Sequence, residues 1–159
     1  MCNHTTINGP FTKNGNGLDM RLYIPVGEKW ELSKSCIPTG EMLPETNHDR
    51  QYLTGSQVPV LHDIDNDVFF AEDGSLDGKP FYGAVATDAG TGKRICYEVC
   101  KDFKFWVIWN DHGDKGYFCP EPCTWIIDAP NQPIPGEESG YRELAPGESH
   151  TVTEKIYTA

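Results

Sequence analysis

Phe103-Lys104-Phe105-Trp106-Val107-Ile108-Trp109, the polar turn Asn110-Asp111-His112-Gly113-Asp114-Lys115-Gly116, and then Tyr117-Phe118-Cys119-Pro120-Glu121-Pro122-Cys123-Thr124-Trp125 form the stretch whose reading decides the fold. Its first seven residues are apolar on both faces except for Lys104, the pattern of a central strand covered on both sides. The turn leads back into Tyr117 and Phe118. Pro120 and Pro122 fix φ on either side of Glu121 and remove two backbone donors, which sets that carboxylate on a stiff, non-helical segment. Aromatic rings cover the apolar C–H face of a pyranose while a carboxylate binds or deprotonates a hydroxyl. Glu121, with Trp125 close behind it, is therefore a candidate sugar site. The plainer reading is a Pro-rich strand-to-loop junction whose glutamate points into water.

Outward from this stretch the same short-strand pattern repeats. Leu18, Met20, Leu22 and Ile24 alternate with Asp19, Arg21 and Tyr23, as in a half-buried strand. Phe81 to Thr87 and Arg94 to Cys100 flank the turn-rich Asp88-Ala89-Gly90-Thr91-Gly92-Lys93, which predicts a hairpin. Pro130, Pro133, Pro135 and Gly136 mark residues 129–136 as a long loop, and His150 to Tyr157 reads as the last strand. With 16 glycines, 12 prolines and no long helical periodicity, the chain is expected to be all-β, an antiparallel β-sandwich. Residues 1–159 read as a single domain without internal repeats.

Composition narrows the partners. With 38% hydrophobic and 23% charged residues the chain is globular rather than disordered. A net charge of −11 argues against nucleic acid or an anionic membrane as partner, whereas a neutral sugar is indifferent to it. No apolar run approaches the length of a membrane span. No basic stretch followed by an apolar one opens the chain, so a cytoplasmic location is expected. Cys96 and Cys100, like Cys119 and Cys123, are spaced for a strand, where positions four apart lie about 13 Å apart. Such pairs cannot share one zinc, so no metal is expected. Disulfides across strands stay open, but reduced, partly buried thiols are the expectation for the six cysteines. Asn3-His4-Thr5 matches a glycosylation sequon, relevant only to a secreted chain.

Several segments resemble, in order, those of the aldose 1-epimerase (galactose mutarotase) family. Cys2-Asn3-His4-Thr5-Thr6-Ile7-Asn8 is similar to its N-H-x-x-(F/I)-N segment. Ile37-Pro38-Thr39-Gly40-Glu41 followed by Thr46-Asn47-His48-Asp49-Arg50 resembles I-P-T-G-E…T-x-x-D-x-R. Ile64-Asp65-Asn66-Asp67-Val68-Phe69 is similar to D-(H/D)-x-F. Glu121-Pro122 with Asp128-Ala129-Pro130-Asn131 resembles E-P…D-A-x-N, and Leu144-Ala145-Pro146-Gly147-Glu148 looks like L-x-P-G-E. Thr6, Ile7, Pro120 and Cys123 depart from the usual pattern. In the family the N-H segment lies near mid-chain, so this chain resembles the C-terminal half. A complementing N-terminal half or a homo-oligomer is then an expected partner.

The resemblance implies a mutarotase-like β-sandwich that acts on a free glucose- or galactose-like aldose without metal or organic cofactor. Anomer exchange needs a base at the C1 hydroxyl and an acid at the ring oxygen. A carboxylate and an imidazole, with unperturbed pKa values of about 4.3 and 6.5, suit those roles. The matched positions imply Glu121 as general base, His4 as general acid and Asp65 as a ligand of sugar hydroxyls, with Asp67 as its rival in register. Plainer readings are an exposed terminal histidine for His4 and a turn aspartate for Asp65. His48, His62, His112 and His150 read as surface residues. Trp106 and Trp109 read as core; Trp125 is the candidate sugar platform. The alternative from another class is a catalytically inactive carbohydrate-binding β-sandwich or a truncated fragment.

Overall fold

A computed structural model describes residues 1–56, 63–113 and 115–159, so His62 and Asp114 lie outside the described residues. The central reading holds. Strand β10 (Phe105–Trp109) pairs antiparallel with β11 (Tyr117–Cys123) on one side and β5 (Asp67–Ala71) on the other. With β1 (Ile7–Asn8), β3 (Val26–Leu32) and β4 (Pro38–Leu43) they form a six-stranded sheet in the order β1-β11-β10-β5-β3-β4. A second sheet runs β12-β9-β8-β2, from β2 (Met20–Tyr23), β8 (Gly83–Asp88), β9 (Lys93–Val99) and β12 (Glu154–Thr158). The expected hairpin is β8–β9, in register from Gly83↔Glu98 to Asp88↔Lys93. A ribbon of β6 (Gly74–Leu76) and β7 (Lys79–Phe81) completes the strands.

Alternation along β10 assigns the two faces of the large sheet. Trp106 and Ile108 point inward with Phe69 and Phe118 and meet Met20, Leu22 and Tyr97 of the second sheet in one core. Tyr97 sets its ring edge-on to Trp106 at 5.8 Å. Phe105 and Val107 point outward, where Trp30, Ile126 and Ala129 cover them. A strand buried on both faces needs apolar residues at every position, which is why this stretch reads so plainly. The fold is thus the antiparallel β-sandwich, with only two short helices, α1 (Asn47–Leu53) and α2 (Gly136–Ser139), among the described residues.

Boundaries shift in three places. Leu18 lies in a 3₁₀ turn (Gly17–Asp19) and is exposed, so the strand starts at Met20. The Pro-rich loop contains a 3₁₀ turn at Ala129–Asn131 and then α2. That helix ends at Gly140 with φ +75, where a Cβ would strike the Thr124 carbonyl. Glycine therefore lets this segment lie close over the outer face. The last strand begins only at Glu154.

Candidate functional site

Residues 1–9 run antiparallel to residues 116–124 in one unbroken register. It extends from the Cys2↔Cys123 bridge through Ile7↔Phe118 to the Gly9 N–H, which donates to the Gly116 carbonyl at 2.8 Å. A period of two therefore sorts the segment's side chains. Inward, Asn3 Nδ2 donates to Glu154 Oε2 at 2.8 Å, Thr5 Oγ1 donates to the Tyr97 hydroxyl at 3.2 Å, and Ile7 enters the core. Tyr97 itself donates to Glu154 at 2.5 Å. Burial, reinforced by that carboxylate, pushes its phenol up to about 12, so it stays a donor at neutral pH.

Outward, the same register makes three cross-strand pairs. Cys2 and Cys123 form a disulfide. His4 Nδ1 lies 2.5 Å from Glu121 Oε1. Thr6 Oγ1 lies 3.4 Å from Cys119 Sγ. The acid and base candidates, far apart in sequence, are thus brought together, with His4 between Asn3 and Thr5, which both bond to the second sheet. The disulfide corrects the expectation of reduced thiols for Cys2 and Cys123; register sets the two directly opposite each other, with Cα atoms 4.2 Å apart. Cys36, Cys96, Cys100 and Cys119 are free.

Glu121 sits over an apolar floor. Its β10 partner is Val107 and the next strand contributes Val68, both buried. Burial raises its pKa, and the nearby imidazole of His4 opposes that rise. The Glu121 side chain is 13% exposed and that of His4 60%, so the carboxylate is mostly covered while the imidazole faces solvent. Cys119, one step along the same face, is buried, and burial pushes its thiol up. Ligand atoms of His4, Cys119 and Glu121 all lie within 4.8 Å of one another.

Trp109 is a residue that sequence reasoning misplaced. It is only partly buried; its ring lies 5.9 Å from that of His4 and 5.9 Å from that of Tyr117. Its register partner is Cys119, on the same outward face as Glu121. The alternation Phe105, Val107, Trp109 held that signal once β10 was paired with β11. Trp125 packs instead against Tyr141, its ring tilted by 33° at 5.5 Å, in a cavity of about 480 Å³ that neither His4 nor Glu121 lines. Asp65 is exposed and accepts from Asn66 Nδ2 at 3.1 Å. It follows Ile64, whose N–H and carbonyl both bond Asn110, the residue after Trp109, so it borders the same end of the sheet. Asp67 pairs across from inward-facing Ile108 and meets Lys29 Nζ at 3.4 Å, on the opposite face from Glu121. His48, His112 and His150 are exposed, as expected.

A two-sheet antiparallel sandwich with a histidine–glutamate pair on its outward face defines a class for which known proteins can be compared. The sequence profile of the aldose 1-epimerase family matches residues 1–157. The chain belongs to the aldose 1-epimerase family. It is similar to a galactose mutarotase-like protein from Clostridium acetobutylicum, with 34% identity, a TM-score of 0.92, and coverage of 99% of this chain and 46% of that one. An aldose 1-epimerase candidate from Escherichia coli K12 shares the fold, with a TM-score of 0.66, 19% identity, and coverage of 98% of this chain and 48% of that one. The chain therefore spans about half the length of these structures. Among the described residues, no helix is long and apolar enough to cross a membrane.

Proposed function

We propose that this chain carries the proton-transfer pair of an aldose mutarotase, with Glu121 as general base and His4 as general acid. The observation that carries this reading is the 2.5 Å contact between His4 Nδ1 and Glu121 Oε1. The two oxygens that exchange protons in anomer interconversion, the C1 hydroxyl and the ring oxygen, are bonded to the same carbon. A base and an acid that serve them must therefore stand side by side, as these two do.

Glu121 takes the C1 hydroxyl proton while protonated His4 delivers its proton to the ring oxygen. The C1–ring-oxygen bond breaks as the C1 carbonyl forms. C1 rotates, the ring oxygen attacks the other carbonyl face, and the two protons return to the groups that started with them. The carboxylate's raised pKa makes it a stronger base than a solvated glutamate, and its apolar floor keeps competing water away. Trp109 offers the apolar ring face next to His4, a role that its place on the outward face suits better than Trp125. Asp65 remains the candidate for a sugar hydroxyl. The substrate class is a neutral free aldose, consistent with the chain's negative charge.

The chain's share of its relatives' length supports a second reading, a sugar-binding half that requires a complementing half or a second copy for activity. Polarimetry on freshly dissolved α-glucose or α-galactose separates the two. Acceleration by wild type that Glu121→Gln abolishes supports the mutarotase reading. Full rate in Glu121→Gln overturns it, and an inactive wild type in every assembly favours the binding half.

A further inference from the structure

We propose that His4, Cys119 and Glu121 form a binding site for a borderline-soft divalent cation of the zinc type. Each contributes one donor atom, an imidazole nitrogen, a thiol sulfur and a carboxylate oxygen, and all three lie within 4.8 Å of one another. Three ligands at normal zinc distances stand about 3.3–3.8 Å apart around a tetrahedral ion. The contacts must therefore adjust by about an ångström, which rotation of the Glu121 and His4 side chains supplies. The mixed nitrogen, sulfur and oxygen set selects zinc-like ions over magnesium or calcium, which take oxygen ligands.

Three features make this more than a chance cluster. Cys119 and Glu121 stand two apart on β11 and His4 comes from the segment before β1 that runs beside it, so the spacing that forbids Cys119 and Cys123 from sharing an ion does not apply. The Thr6 hydroxyl, 3.4 Å from Cys119 Sγ, is in place to support the sulfur once it is a thiolate. The exposed His4 ring gives the ion a path in, and water completes the coordination. On binding, the sulfur–metal bond replaces the S–H bond and the proton leaves to solvent. An ion here would engage both groups of the proposed acid/base pair, so zinc should inhibit mutarotation; that consequence rests on the mutarotase reading, whereas binding does not.

Cobalt(II) titration of the purified, disulfide-intact chain tests binding without any sugar. The expected result is one equivalent bound, with a thiolate-to-cobalt absorption band in the near ultraviolet that zinc abolishes by displacement. Cys119→Ala should remove the band. His4→Asn, a change at an exposed residue, should weaken binding by at least the roughly 10–100-fold that loss of an outer-shell partner costs. No band with cobalt in excess overturns the site. So does a band that persists in Cys119→Ala, which would assign it to Cys36, Cys96 or Cys100. Should Cys119→Ala fail to fold, an unchanged affinity in His4→Asn overturns it equally. A chain that binds cobalt yet is inactive alone, as an oligomer and with a complementing half would count against the mutarotase reading and leave the metal site standing.

Discussion

The two edges of the six-stranded sheet are built on different terms. At one edge, residues 2–8 engage both faces: Cys2, His4 and Thr6 pair outward with Cys123, Glu121 and Cys119, while Asn3, Thr5 and Ile7 hold the second sheet. At the other edge, every residue of β4 after Pro38 is exposed, Met42 and Leu43 included. The pairing of β4 with β3 also slips between Trp30 and Leu32. One exposed side-chain bond, from Thr39 Oγ1 to Glu31 Oε2 at 2.7 Å, supplements the backbone ladder there; side-chain pairs on both faces fix register more firmly. The edge with six such contacts carries the candidate site. Precision follows the side chains, not the strand length.

The most forceful way to break this comparison is to change the paired glutamate. If the chain, alone or with a complementing half, accelerates mutarotation, Glu121→Gln should reduce the rate by about 10²–10⁴, the usual worth of a general base. His4→Asn should cost a comparable factor, since ring-oxygen protonation then falls to water. Asp65→Asn should instead raise KM with kcat nearly unchanged. Polarimetry at varied sugar concentration reads all three, and a fall in kcat for Asp65→Asn would move that residue into the proton-transfer chemistry.

Next in size is the tether. The Cys2–Cys123 disulfide spans 121 residues of sequence, so its removal releases a long loop in the unfolded chain. Cys2→Ser should cost about 2–4 kcal/mol of stability. Because Cys2 precedes His4 by one step on the same face, the variant should also loosen the His4–Glu121 contact. Urea unfolding gives the first effect. Hydrogen exchange at residues 3–9 gives the second, and unchanged protection there would show that the inward contacts suffice to hold the strand.

Much of the fold was legible because burial on both faces leaves a plain mark: the run from Phe103 to Trp109 had to be central, and its last five residues form β10. The acid/base pair was legible only through resemblance, since nothing local joins residue 4 to residue 121. Pairing across that distance is decided by register, which one strand's sequence does not state. The same reason hid the disulfide and the neighbourhood of Trp109. Trp125 was joined to Glu121 by closeness in sequence; β11 ends at Cys123, and the chain then turns Trp125 towards Tyr141.

A pH series sharpens the site end of the comparison. Burial raises the Glu121 carboxyl above the ordinary 4.5, so the folded chain holds that proton more tightly than the unfolded one. This group's contribution to stability is therefore present below the ordinary value and is lost as pH rises through the raised folded value. Catalysis runs the other way, since the base must be ionised. The acid limb of the rate profile should lie above 4.5, and His4→Asn, which removes the opposing charge, should move it higher still. Residual activity in that variant is enough to locate the limb. A limb unmoved by His4→Asn would mean that the imidazole does not bear on the carboxylate.

The smallest effect is expected at the opposite edge. Met42 is 41% exposed on β4, and its register partner is Trp30. Met42→Lys keeps the backbone ladder and places a charge where solvent already reaches, so unfolding free energy should change by no more than about 0.5 kcal/mol. Lysine on an open edge also discourages strand addition by another chain. Sedimentation should be measured beside stability, because an edge that is free in the isolated chain can be covered in an assembly. An unchanged sedimentation profile with a near-neutral stability marks β4 as a solvent edge and preserves the contrast with residues 2–8. A shift towards smaller species would place another chain along β4, and the two edges would then differ in what holds them rather than in whether they are held.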